Sequence, residues 1–137
     1  MIAPTFQHTI TLYNKCVDKV NNRSVTTWKR TVLNECYFGT ETAKQLNGST
    51  LSLASSYICR IPQNEAYTEV YKGESDKFTL KPDDVIVKGE VFDEISDIQG
   101  NRMTDLMQKY RGFCFTVRAV SDNTMLSYAP HYRASGV

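Results

Sequence analysis

Two histidines, four cysteines and one crowd of carboxylates are the residues here whose types could do chemistry. His8 and His131 could each act as a general base or metal ligand, but neither has a partner at ligand spacing. Cys16, Cys36, Cys59 and Cys114 form no CxxC pair, which argues against a clustered zinc site. Three of them lie in strand-like runs (ECYF, YICRI, FCFTV) and read as small buried hydrophobes of a reducing compartment. A disulfide between distant strands would depend on the fold. Asp83, Asp84, Glu90, Asp93 and Glu94 are close enough in sequence to suggest the carboxylate pair of a hydrolase. A proline turn and a solvated strand face explain them more simply. No GxSxG elbow presents a serine beside a base, and no GxxxxGK[ST] loop could cradle phosphate. Trp28-Lys29-Arg30, Lys109-Tyr110-Arg111 and Tyr132-Arg133 interleave aromatics with cations, as a single-strand-binding surface does. Core-facing aromatics beside outward cations give the same pattern. The chain is therefore expected to be no enzyme and to hold no metal or cofactor.

Charge and length narrow the classes further. Sixteen basic against fifteen acidic residues leave a net charge of +1, too little to drive nucleic-acid or membrane binding by charge alone. A local charged face, or a charged ring made by assembly, remains compatible with it. A chain of 137 residues suits one domain with its own core. There is no apolar run of about 18 residues, so no membrane partner is expected. The N-terminal MIAPTFQHTITLYNK lacks a basic stretch followed by an apolar one, so it does not read as a secretory signal.

The elements that would position these residues are mostly strands. Phe78–Glu94 reads as strand, tight turn and strand, with Pro82 and Asp83 in the turn and Val85, Val87 and Val91 on one face. Thr9–Tyr13 alternates and is rich in β-branched and aromatic residues, with Asn14 and Lys15 ending it. Ser24–Leu33 and Ser56–Pro62 read the same way, as do Phe113–Val120 and Met125–Tyr132. Met103–Tyr110 is the one convincing helix, with Thr104 able to cap it, Asp105 in its first turn and Gly112 past its end. Residues 39–55 and 63–77 are long polar excursions. Within the first, a short helix over Thr42–Leu46 competes with a hairpin around Asn47-Gly48. About seven short strands with turn signals predict an all-β fold, a small barrel or sandwich with one short helix and long loops. The whole of 1–137 then forms a single domain, with a C-terminal arm at 128–137. Long excursions on a small β core suit a module that assembles with other chains.

Five segments occur in an order that carries a resemblance: ITLYNK at 10–15, WKRTVL at 28–33, CRIP at 59–62, FTLKPDDVIVKGE at 78–90 and FTVRAVSD at 115–122. Together they resemble the small "minor capsid" proteins of tailed phages of Gram-positive bacteria, over nearly the whole chain. Two departures stand out. Asp83, placed here in a type I turn, stands where the family usually has glycine, and His131-Tyr132 stands where many members have His-Trp. The resemblance implies a head–tail connector, a stopper or neck ring at the head–tail junction of the virion, assembled in the host cytoplasm. It implies a homo-oligomeric ring, six- or twelve-fold, touching portal and adaptor proteins above and tail terminator or tail tube proteins below. Packaged double-stranded DNA would lie in its lumen without sequence-specific contacts. On that reading Lys44, Gln45, Asn47 and Ser49 narrow the lumen. Tyr67, Tyr71, Tyr128, His131, Tyr132 and Arg133 are the candidate subunit and partner contacts. A tail terminator or tail-completion ring is the alternative within the same class. A β-barrel that binds single-stranded nucleic acid is the alternative from another class.

Overall fold

Among the described residues, the computed structural model is mainly β, with six antiparallel strands and one short helix. It describes residues 6–47, 50–69, 71, 76–96 and 100–137, with side chains described outside 41–55. The strands are β1 (His8–Val20), β2 (Arg23–Asn47), β3 (Thr50–Pro62), β4 (Val85–Lys88), β5 (Cys114–Asn123) and β6 (His131–Gly136). Their pairing runs β1-β2-β3-β6-β5-β4 and closes back from β4 to β1. The closure is irregular, because two strands each serve two sheets. β2 pairs with β1 up to Cys36 and with β3 from Tyr37, turning the corner at Glu35, whose φ is +59°. β5 pairs with β4 up to Thr116 and with β6 from Val117, with a bulge between Val117 and Ala119. Extra residues of this kind bend a strand and sharpen its twist, which a small barrel needs at its corners.

Alternation along the strands builds two cores. Ile10, Leu12, Leu33, Phe38, Cys59, Ile61, Ile86, Phe115, Val117 and Ala134 fill the barrel interior. The opposite face of the same sheet carries Tyr13, Val85, Val87 and Cys114, which pack with Val91 and with Leu106 of helix α1 (Met103–Lys109). β4 is therefore buried on both faces, which explains its unbroken Val-Ile-Val run. Thr104 does not cap α1. Arg102 is the N-cap residue, and Asp105 Oδ2 accepts the Arg102 and Gly100 amides at 3.0 Å each. Gly112, at φ +87°, takes the left-handed conformation just past the helix, as its position predicts.

Several sequence expectations are corrected. Residues 78–80 and 85–88 do not form a hairpin. Both edges of β4 are already taken, by Ile10–Tyr13 of β1 and by Cys114–Thr116 of β5. Phe78 instead exchanges backbone hydrogen bonds with Ala66 and Thr68. The turn between them is type II, because Asp83 sits at φ +80° and the Asp84 amide donates to the Lys81 carbonyl at 3.2 Å. β1 does not stop at Asn14 but runs to Val20. Of the two readings for 39–55, the hairpin around Asn47-Gly48 fits the strand register, and 39–47 and 50–55 are strand rather than loop. Nor is 128–137 an arm: His131–Gly136 is the strand between β3 and β5.

Candidate assembly surfaces

Asn21 and Asn22, at φ +52° and +63°, form a tight turn that returns β1 into β2. Asparagine tolerates this region better than most residues, and a turn of this kind matches the twist of the strands it joins. Beyond Asn14 and Lys29 the two strands leave the barrel as a ribbon paired only with itself among the described residues. Its register runs Lys15↔Trp28, Val17↔Thr26, Val20↔Arg23. From Val17 to Thr27 every residue is exposed, including Val17 at 57 % and Val20 at 54 %.

The root of this ribbon is held by a buried carboxylate. Asp84 Oδ2 accepts the Asn14 side-chain amide at 2.9 Å and the Lys81 backbone amide at 3.0 Å. Its Oδ1 accepts the Lys15 backbone amide at 2.9 Å and the Lys81 ammonium at 2.7 Å. Asn14 also donates to the Thr79 carbonyl at 2.8 Å. Four hydrogen bonds use its lone-pair directions and offset the desolvation of the carboxylate. On the other face Tyr13 Oη donates to the Asp93 carbonyl at 2.7 Å, and Tyr110 Oη donates to Asp93 Oδ1 at 2.7 Å. Burial first, then the Asp93 charge, pushes the Tyr13 phenol up to about 12. Hydrogen bonds from Tyr110 and Lys109 lower the Asp93 carboxyl.

A second ribbon leaves from the other end of β2. Pairing between β2 and β3 continues from Thr40↔Tyr57 through Lys44↔Leu53 and Gln45↔Ser52 to Asn47↔Thr50. β6 accompanies β3 only from Tyr57 onward, so the outer part is again two-stranded among the described residues. Lys44, Gln45 and Asn47 thus belong to this ribbon, and Ser49 lies outside the described residues.

The expected partner contacts are scattered. Tyr67 and Tyr132 stack on each other, ring centroids 3.9 Å apart, and Tyr132 keeps only 9 % of its surface. His131 is buried too, with Nδ1 2.8 Å from the Ala129 carbonyl and Nε2 3.3 Å from Asn123 Nδ2. Tyr71 lies under the Lys29 ammonium, 5.3 Å from its ring centroid. Arg133 is a half-buried residue of β6, between Arg60 and Ser121. Of the six, Tyr128 alone is fully exposed, beside exposed Met125 and Leu126 in the β5–β6 loop. Sequence reasoning placed Met125 inside a strand and so missed this patch. The apolar run broken by Ser127 and Pro130 was the available signal. The aromatic–cation pairs are also used internally: Trp28 is half-buried against the core under α1, and Tyr110 is tied to Asp93. Burial raises the Cys36 thiol to about 12 and the Cys59 thiol well above its ordinary value. Neither is a nucleophile near neutrality.

No helix among the described residues is long and apolar enough to cross a membrane. No curated protein and no solved structure matches the chain. A family described as of unknown function, DUF6751, matches residues 5–137, and the chain belongs to that family.

Proposed function

We propose that this chain is a structural subunit of a tailed-phage virion, a head–tail connector of the stopper or neck kind that assembles into a ring. The observation that carries the assembly reading is the pair of ribbons leaving opposite ends of β2. The strand order of the barrel closes from β4 back to β1. Both strands of each ribbon have an open outer edge among the described residues, and open edges recruit further strands or neighbours. The ordered resemblance at 10–15, 28–33, 59–62, 78–90 and 115–122 supplies the phage setting. In that setting the β2–β3 ribbon, with Lys44, Gln45 and Asn47, is the candidate to reach the lumen and hold DNA by obstruction. Portal and adaptor proteins on one side and tail proteins on the other are the proposed neighbours.

Electron microscopy of lysates from a phage lacking this gene tests the proposal. A connector that retains DNA leaves emptied heads beside separate tails of normal length. Filled heads with overlong tails would make the chain a tail terminator instead. Intact infectious particles would remove both readings.

A further inference from the structure

We infer that the tip of the β1–β2 ribbon of one copy inserts into a cleft at the far end of the same ladder on the next copy. This contact rests on the ring reading above and assigns its interface. The cleft has a volume of about 510 Å³ and lies where β1 begins and β2 turns its corner. Phe6, Leu33, Ile61, Pro62 and Pro130 give it apolar walls, and among the described residues Glu35 is the one charged side chain lining it. Exposed Met125 and Leu126 precede its Ala129 in the same loop, so apolar surface continues along that segment.

The ribbon tip has the complementary character. Val17, Val20 and Val25 are exposed on it. Lys19 and Arg23 stand in its last rungs, with Asp18 the single nearby anion. A two-stranded hairpin with β-branched apolar residues in water on both faces is marginal by itself and gains from cover. The tip is narrow, only a two-residue turn and two strands wide. Its own cleft is out of reach. Glu35 stands 13 residues along β2 from Asn22, roughly 40 Å at a strand rise of ~3.3 Å per residue. A surface at one end and its complement at the other can meet only between copies. Such heterologous contacts repeat around a ring when the rotation closes.

Charge reversal of the full chain tests the contact by sedimentation over a concentration series. Arg23 and Glu35 are both exposed, so neither reversal disturbs the core. Arg23→Glu alone and Glu35→Arg alone are each expected to raise the ring's dissociation concentration about tenfold, and the two together to recover most of that loss. Val20→Asn is expected to weaken assembly with no rescue by either reversal. Single reversals that assemble like the wild type, or a double reversal that sums two losses, would overturn the contact while leaving the ring reading in place. A wild type that stays monomeric at every concentration would overturn both.

Discussion

One pair of strands passes through two environments. At Ile10–Tyr13 β1 is buried on both faces, and seven residues on, at Val17–Val20, it is exposed on both. Both stretches are half β-branched, though Val-Asp-Lys-Val carries two charges where Ile-Thr-Leu-Tyr carries none. What also changes is the company. β4 lines the outer edge of β1 for four residues and then ends at the Lys81–Asp84 turn. The Asp84 carboxylate marks the boundary, capping β1 with hydrogen bonds where strand pairing gives out. Propensity makes a strand, then, but a neighbouring strand decides whether it becomes core or arm.

That contrast can be broken on the barrel side. Phe115, fully buried between Phe38 and Tyr57, is expected to cost about 4 kcal/mol when replaced by alanine, measured by urea unfolding. Asp84→Ala should cost about 3 kcal/mol, because Asn14, Lys15 and Lys81 lose their acceptor at a buried site. Unlike Phe115→Ala, it should also speed hydrogen exchange through the ribbon root. Tyr13→Phe removes one hydrogen bond and should cost about 1 kcal/mol. Its sharper signature is alkaline. A phenol held at about 12 in the fold, against an ordinary value of 10.0, favours folding fully below pH 10 and loses that contribution as pH climbs toward 12. Tyr13→Phe should flatten the stability curve in that window, and an unchanged slope would reassign it to the buried thiols, of which Cys36 titrates in the same direction.

The boundary and the arm give smaller effects. Asp83→Gly should stabilise by about 0.7 kcal/mol, since glycine holds φ +80° without strain while losing more freedom on folding. A loss of stability would mean that the exposed 3.6 Å pair with Arg118 matters more than its screening allows. Val20→Ser in the ribbon should change monomer stability by less than about 0.5 kcal/mol, in contrast to any cut of similar size in the barrel.

Local pattern made parts of this visible. The Thr9–Tyr13 alternation, the 24–33 strand and the helix at Met103–Lys109 are each legible from a few adjacent residues. The 78–94 segment misled because its pattern fits a hairpin, while the partners of Val85–Lys88 lie about 75 residues back and 30 residues on in the sequence. Nothing local in FTLKPDDVIVKG states that both edges are taken. Tyr67 and Tyr132 looked like surface aromatics for a related reason: each is covered by the other, across nearly half the chain. Asn14 and Lys15 read as the end of a strand, whereas pairing with β2 carries β1 on to Val20.

β2 runs unbroken from one ribbon, through the barrel, into the other. Mechanically it is a single tie rod. A pull on one ribbon along this strand reaches the other without crossing a loop, and its hydrogen bonds to β1 and β3 lie across the load and share it. Opening them one at a time would require peeling the ribbons sideways. Two copies gripping such a chain at its two ends would therefore be coupled through its stiffest element, so strain at one contact would be felt at the next.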